Sequence, residues 1–198
     1  MIAAAHGAQV IAADPGRGRQ LNAGASAASG DTLLFLHADT LLPSDAAAHV
    51  DAALSTSGAI AGAFRLKIDA PSASFRLIER AVNWRSLHLQ LPYGDQAIFM
   101  RAATFREAGG FPDVPVMEDF ALMRRFKRSG KIALADAAVL TSARRWLARG
   151  IWRTTLLNQA CIAAFLCGIS PHRIALWRNR VGTGARRRPV LATPPAAQ

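Results

Sequence analysis

Cysteine is scarce: the 198 residues hold two, Cys161 and Cys167. Both sit in an apolar stretch with no metal-type partners in the sequence, which excludes a disulfide scaffold and a zinc ribbon. Aromatic residues amount to 7% with one tyrosine, too few for the interleaved stacking platforms of single-strand binders. Long apolar runs are missing as well. The longest near the C-terminus, Ala160 to Ile169, falls short of the ~20 residues a spanning helix needs. Met1 to His6 carries no Lys or Arg ahead of an apolar core, so no signal peptide is expected.

Acid is missing unevenly. Up to Met123 there are 9 basic and 12 acidic residues, whereas from Arg124 onward there are 15 basic residues and one acid, Asp136. The net charge of +11 therefore belongs to a basic C-terminal third that follows a mildly acidic body. A basic third of this kind seeks phosphate, in nucleic acid, on a lipid surface or in a small anion.

What is present suffices for a core. Apolar residues make up 51% and charged residues 19%, a globular composition, and the length suits one domain with a tail. Short apolar runs alternate with helical patterns, which predicts an α/β fold. Strands are expected at Ala8–Ala12, Thr32–His37, Ala59–Ile68, Gln96–Arg101 and Ile132–Thr141. The second of these reads as a strand buried on both faces. Helices are expected at Gly18–Ser29, from Pro43 to Ser55, and at Ser72–Leu89, Ala102–Ala108, Glu118–Ser129, Ile151–Cys167 and Pro171–Asn179. The domain is expected over residues 1–181, with 150–181 as its basic helical end, and residues 182–198 as a disordered Arg-, Pro- and Ala-rich tail.

Candidate chemistry gathers at the ends of these elements, where α/β sheets bind ligands. Asp39 follows an apolar strand and could hold a hard cation that bridges phosphate oxygens; a turn aspartate is the alternative. His37 is a candidate second ligand or a structural histidine. Glu118-Asp119 opens a helix after a Pro-rich loop, either as a general base or as carboxylates favoured by the helix N-terminus. Arg17-Gly18-Arg19-Gln20-Leu21-Asn22 is a Gly-flanked basic turn that could cradle phosphate, although it fits neither a P-loop nor G-x-G-x-x-G. Arg144-Arg145-Trp146 could clamp phosphate or form a solvated basic face. No nucleophilic triad follows from spacing, and neither cysteine looks activated.

Taken in order, these segments resemble the family-2 glycosyltransferases, and more narrowly the small bacterial branch described as radical-SAM/selenodomain-associated transferases. The resemblance rests on G-R-G-R-Q-L-N-A-G (Gly16–Gly24), G-D-T-L-L-F-L-H-A-D-T (Gly30–Thr40) and G-D-Q-A-I-F-M-R (Gly94–Arg101). It continues through G-G-F-P-D-V-P-V-M-E-D (Gly109–Asp119) and R-R-W (Arg144–Trp146). It implies a GT-A-like three-layer sandwich with a mostly parallel sheet, a nucleotide-sugar donor and inversion at the anomeric carbon. Asp39 would bind a divalent cation, Mg2+ or Mn2+, on the donor diphosphate, with His37 in the position where relatives carry a further aspartate. Asp119 would take the acceptor proton, with Glu118 beside it. Gly94, Asp95 and Gln96 would lie near donor sugar and acceptor, Arg144, Arg145 and Trp146 at the diphosphate, and Arg17, Arg19 and Asn22 near the nucleotide.

The family begins with a strand ending in a P-A-L-N-E-type motif, a helix, and a strand ending in a D-G-G/S turn. Here Met1 falls within the helix that follows, so the sheet is expected to be incomplete at its N-terminal side, with low activity and self-association as consequences. A cytoplasmic location is expected, peripheral at the inner face of the membrane, with a lipid-linked acceptor as one option. Two further functions remain open: a basic module that binds an anionic membrane surface, nucleic acid being the less expected partner, and a nucleotidyltransferase, which would release pyrophosphate instead of a nucleoside diphosphate.

Overall fold

The computed structural model describes residues 2–182, and the basic tail that follows lies outside them. The chain runs α1 (Ile2–Ala5), α2 (Arg17–Ala27), β1 (Thr32–Phe35), β2 (Thr40–Leu41), α3 (Ala46–Leu54), β3 (Ala59–Asp69) and α4 (Ala73–Leu89). A single 3-10 turn, Gly94–Gln96, leads into β4 (Ile98–Arg101), α5 (Ala102–Glu107), α6 (Glu118–Ser129) and β5 (Lys131–Ser142). Three helices close the chain: α7 (Arg144–Arg149), α8 (Ile151–Leu166) and α9 (Pro171–Gly182). No helix among the described residues is long and apolar enough to cross a membrane.

The sheet order is β1-β4-β3-β5-β2. Successive side chains of a strand point to opposite faces, and β4 illustrates this: Ile98 and Met100 enter one core while Phe99 enters the other. The first core lies under α3 and α4 and holds Val50, Phe64, Ile68, Phe75 and Phe99. The second lies under α5 and α6 and holds Leu33, Met100, Phe105, Leu122 and Phe126. Gly62 on β3 is required for the first. A Cβ there would stand 2.4 Å from Cε2 of Phe99, inside any van der Waals contact, so only glycine lets that ring cross the strand.

The sheet is mixed and curled, and the expectation of a mostly parallel sheet is not met. Only β3 and β5 pair in parallel; β1–β4, β4–β3 and β5–β2 are antiparallel. The curl follows from chain length. Leu36–Asp39 alone joins β1 to β2, which are the two edges of the sheet. Five Cα steps reach ~18 Å at most, whereas four strand spacings in a flat sheet need ~19 Å. The sheet has to bend so that its edges approach, and the connection then lies across one end of it.

Three local expectations are also corrected. Residues 8–12 form no strand, and Val10 and Ile11 lie exposed; apolar β-branched residues become a strand only where a neighbour supplies the other half of the ladder. The strand at Thr32 is an edge strand with Leu33 alone fully buried, not one covered on both faces. Finally, β2 and α7 were not anticipated; Thr40 joins Thr141 of β5 through their hydroxyls at 2.9 Å.

Candidate active site

The antiparallel course of β4 builds the site. Phe35 at the end of β1 pairs with Ile98 at the start of β4. The C-terminal end of one strand and the turn entering the other therefore share an edge. His37 and Asp39 follow β1, Gly94 and Asp95 precede β4, and Ser142 ends β5. A cleft at this edge is lined by Arg17, His37, Asp39, Tyr93, Asp95, Glu118, Asp119, Arg145, Trp146 and, from α8 and α9, Asn158, Cys161 and Arg178.

Asp119 stands on the first turn of α6, at the helix end whose free N–H groups favour negative charge. Its Oδ2 accepts from the Gly94 amide at 2.7 Å and its Oδ1 from the Phe120 amide at 2.7 Å, so both oxygens are oriented by backbone. Gly94 leaves room for the charged side chains beside it. A Cβ would stand 2.6 Å from an Arg17 guanidinium nitrogen and 2.8 Å from Oδ2 of Asp119. The turn before α6 is strained in the same service: Met117 has φ 71°, a left-handed conformation that costs a non-glycine residue about 1–2 kcal/mol.

The two adjacent carboxylates differ. The Asp119 side chain keeps 18% of its surface exposed and Glu118 keeps 4%. Glu118 Oε1 lies 3.0 Å from Arg17 Nε. Burial, and then the neighbouring Asp119, push its carboxyl above the usual range against the pull of Arg17. Arg17 also hydrogen-bonds His37 Nε2 and approaches Asp119 Oδ2 at 4.0 Å. Burial first, and the Arg17 charge second, hold His37 down at about 4, so the ring is neutral at pH 7.

Asp95 has a buried Oδ1 with no hydrogen-bond partner. Burial raises its pKa, opposed by Arg85. Arg85 lies 3.5 Å from the centroid of the Tyr93 ring and donates to Leu91 O at 3.1 Å. Burial pushes the Tyr93 hydroxyl up to about 12, leaving it a neutral donor, and it too has no partner. Two buried polar atoms without partners, on residues that line the cleft, are exceptions to the rule that buried polar groups are hydrogen-bonded.

Some expected site residues lie elsewhere. Gln96 is fully buried. Its Nε2 donates to Phe64 O at 3.0 Å, and its Oε1 accepts from Ser86 Oγ at 2.8 Å and the Tyr93 amide at 3.2 Å. It braces the Gly94 turn from below. Arg19 pairs with Asp113 at 2.9 and 2.7 Å, and Asn22 exchanges two 2.9 Å bonds with the backbone of Phe111. Both fasten α2 to the loop ahead of α6, so of the basic turn only Arg17 reaches the cleft. Arg144 is exposed and bonds Ser142 Oγ at 3.1 Å, while Arg145 and Trp146 line the cleft. Trp146 packs edge-on to Phe75 with its Nε1 buried and unpartnered.

Among the described residues no group of three or more His, Cys, Asp or Glu side chains could hold a metal ion. His37 Nε2 faces a guanidinium, which is poor company for a ligand to a cation. Asp39 lines the cleft as a single carboxylate outside any such group. Tyr93, Arg85 and Arg178 were not singled out from sequence. Tyr93 directly precedes the Gly94 motif, but Arg85 and Arg178 sit in ordinary helical patterns without a local signal. Compared with family models, curated proteins and solved structures, the chain matches none.

Proposed function

We propose that the chain is an inverting glycosyltransferase that moves a sugar from a nucleoside-diphosphate donor to an acceptor hydroxyl. The observation that carries this reading is the oriented carboxylate of Asp119, held by the Gly94 amide at 2.7 Å in a cleft that also presents Arg17, Arg145 and Arg178. Asp119 accepts the proton of the acceptor hydroxyl, whose oxygen forms a bond to the anomeric carbon. The bond from that carbon to the diphosphate breaks on the opposite face, and the leaving group keeps the electron pair. Arginines fixed in the cleft stabilise the charge that develops there. Glu118 acts through Arg17, holding the guanidinium in place, and is a positioning residue. When bound, a divalent cation, Mg2+ or Mn2+, would be held by Asp39 and the donor phosphates and would add positive charge at the leaving group.

The test is nucleoside diphosphate release from a panel of nucleotide sugars, with Asp119→Asn alongside. Loss of a positioned general base is expected to lower turnover by about 10²–10⁴-fold with donor binding, read by calorimetry, largely retained. Unchanged turnover would sink the assignment, and release of pyrophosphate would mean nucleotidyl transfer instead.

A further inference from the structure

Helix α8 carries apolar side chains on its outer face as well as on its inner one, where Ile151 and Phe165 pack. Its exposed positions are Trp152, Arg153, Leu156, Gln159, Ala160, Ala163 and Leu166, and five of them, Trp152, Leu156, Gln159, Ala163 and Leu166, are spaced by three and four and trace one stripe along a helix. That stripe is apolar apart from Gln159, and the fully buried residues of α8 are Thr154 and Cys161. A water-facing helix carries its polar side outward, so this surface is shaped to meet something less polar than water.

The neighbouring helices extend the surface. Arg153 at the start of α8 donates to the carbonyl of Val181 near the end of α9 at 2.5 Å, so the two helices run antiparallel. Trp177 lies one turn back from Val181 on α9, which brings it to the same end of the hairpin as Trp152. Leu147 on α7, Leu156 and Leu176 expose 65%, 66% and 63% of their surface, and Trp152 and Trp177 expose 51% and 41%. Between Arg144 and Arg180 the chain carries seven arginines and no Asp or Glu.

We propose that α7–α9 form a docking face for the surface of an anionic lipid bilayer. Charge complementarity selects the occupant. Apolar side chains seat in the acyl boundary, tryptophans suit the headgroup level, and the exposed arginines outside the cleft, Arg144, Arg149, Arg153 and Arg173, meet lipid phosphates. Nucleic acid would use the arginines but leave Leu147, Leu156 and Leu176 in water. The face lies beside the cleft, since Asn158 and Arg178 line it from α8 and α9. The inference stands apart from the glycosyl-transfer reading, because its readout is binding and needs no turnover.

The full chain is co-sedimented with phosphatidylcholine vesicles, with and without a minority of phosphatidylglycerol, and titrated with a single-stranded oligonucleotide at matched salt. Preferential binding to the anionic vesicles, weakening as salt rises, is expected. Trp152→Glu combined with Leu156→Glu should weaken that binding by about tenfold or more. Leu77→Glu combined with Trp84→Glu, on the exposed stripe of α4, should leave it within about twofold, since that stripe is not part of the face. Equal binding to neutral vesicles, tighter binding to the oligonucleotide, or an anionic-vesicle affinity that the α8 pair does not change would each overturn the proposal. A thermal melt of both pairs, matching the parent, separates lost docking from lost folding.

Discussion

The Gly94–Gln96 turn and the α8–α9 hairpin put opposite uses on their polar and apolar atoms. In the turn, nearly every polar group is committed inward: Gln96 braces two layers, and the Gly94 amide holds Asp119. In the hairpin, Trp152, Leu156, Leu176 and Trp177 are exposed to solvent. A region built around internal bonds fixes atoms relative to one another, as chemistry requires. A region that leaves apolar surface exposed saves that surface for a partner.

The contrast breaks most directly at Gln96. Gln96→Leu keeps the volume but leaves the Phe64 carbonyl, the Tyr93 amide and a buried face of Ser86 without their partner. Buried groups stripped of hydrogen bonds cost about 1–3 kcal/mol each, so a loss of roughly 3 kcal/mol or more in urea unfolding is expected. A loss below ~1 kcal/mol would mean that water or a shift of the turn replaces those bonds, and that the turn is not the rigid half of the comparison.

His37 sharpens the same half through pH. Its folded pKa, about 4, lies below the ordinary 6.5, so the unfolded chain binds the proton more readily. The group therefore contributes stability above pH 6.5 and loses it as pH falls from there toward 4. Between pH 7.5 and 5 the parent should lose about 1 kcal/mol more than His37→Asn, less than the full shift would give because the ring is partly screened by water, measured in EDTA so that no cation competes. Parallel pH profiles for the two proteins would remove His37 from the network around Arg17.

Much of the layout is legible in sequence because it is local. The glycine pair at Gly109-Gly110, with φ of 74° and 72°, closes α5 where expected, and Gly130 ends α6. The carboxylate pair at Glu118-Asp119 and the Asp39 loop fall at element ends, and the fold brings both to one cleft. What was not legible is pairing. Nothing in the pattern of Ile98–Arg101 says that it runs against β1, yet that direction alone carries Gly94 to the end of β1. Residues 8–12 have the composition of a strand and lack a neighbour. Gln96 is expected at the site through the resemblance of Gly94-Asp95-Gln96 to the family's donor loop, and its burial is set by Phe64 and Ser86, distant in sequence. Arg178 enters the cleft from a helix whose docking no local spacing encodes.

The smallest expected effect tests the other half of the comparison. Leu147→Gln and Leu156→Gln exchange exposed leucines for a residue of nearly equal helix propensity. Each removes a large apolar side chain from the surface and nothing from either core. Each should therefore change unfolding free energy by less than about 0.5 kcal/mol, the range of ordinary surface substitutions, in urea titration of the lipid-free chain. A Leu→Gln change in either buried cluster would cost several times more, since it loses the transfer of the side chain and buries an amide. A drop above ~1 kcal/mol at Leu156 would show that the outer stripe of α8 is already packed within the free protein. The hairpin would then be one more part of the folded core, and its apolar face would not be available to any surface outside the chain.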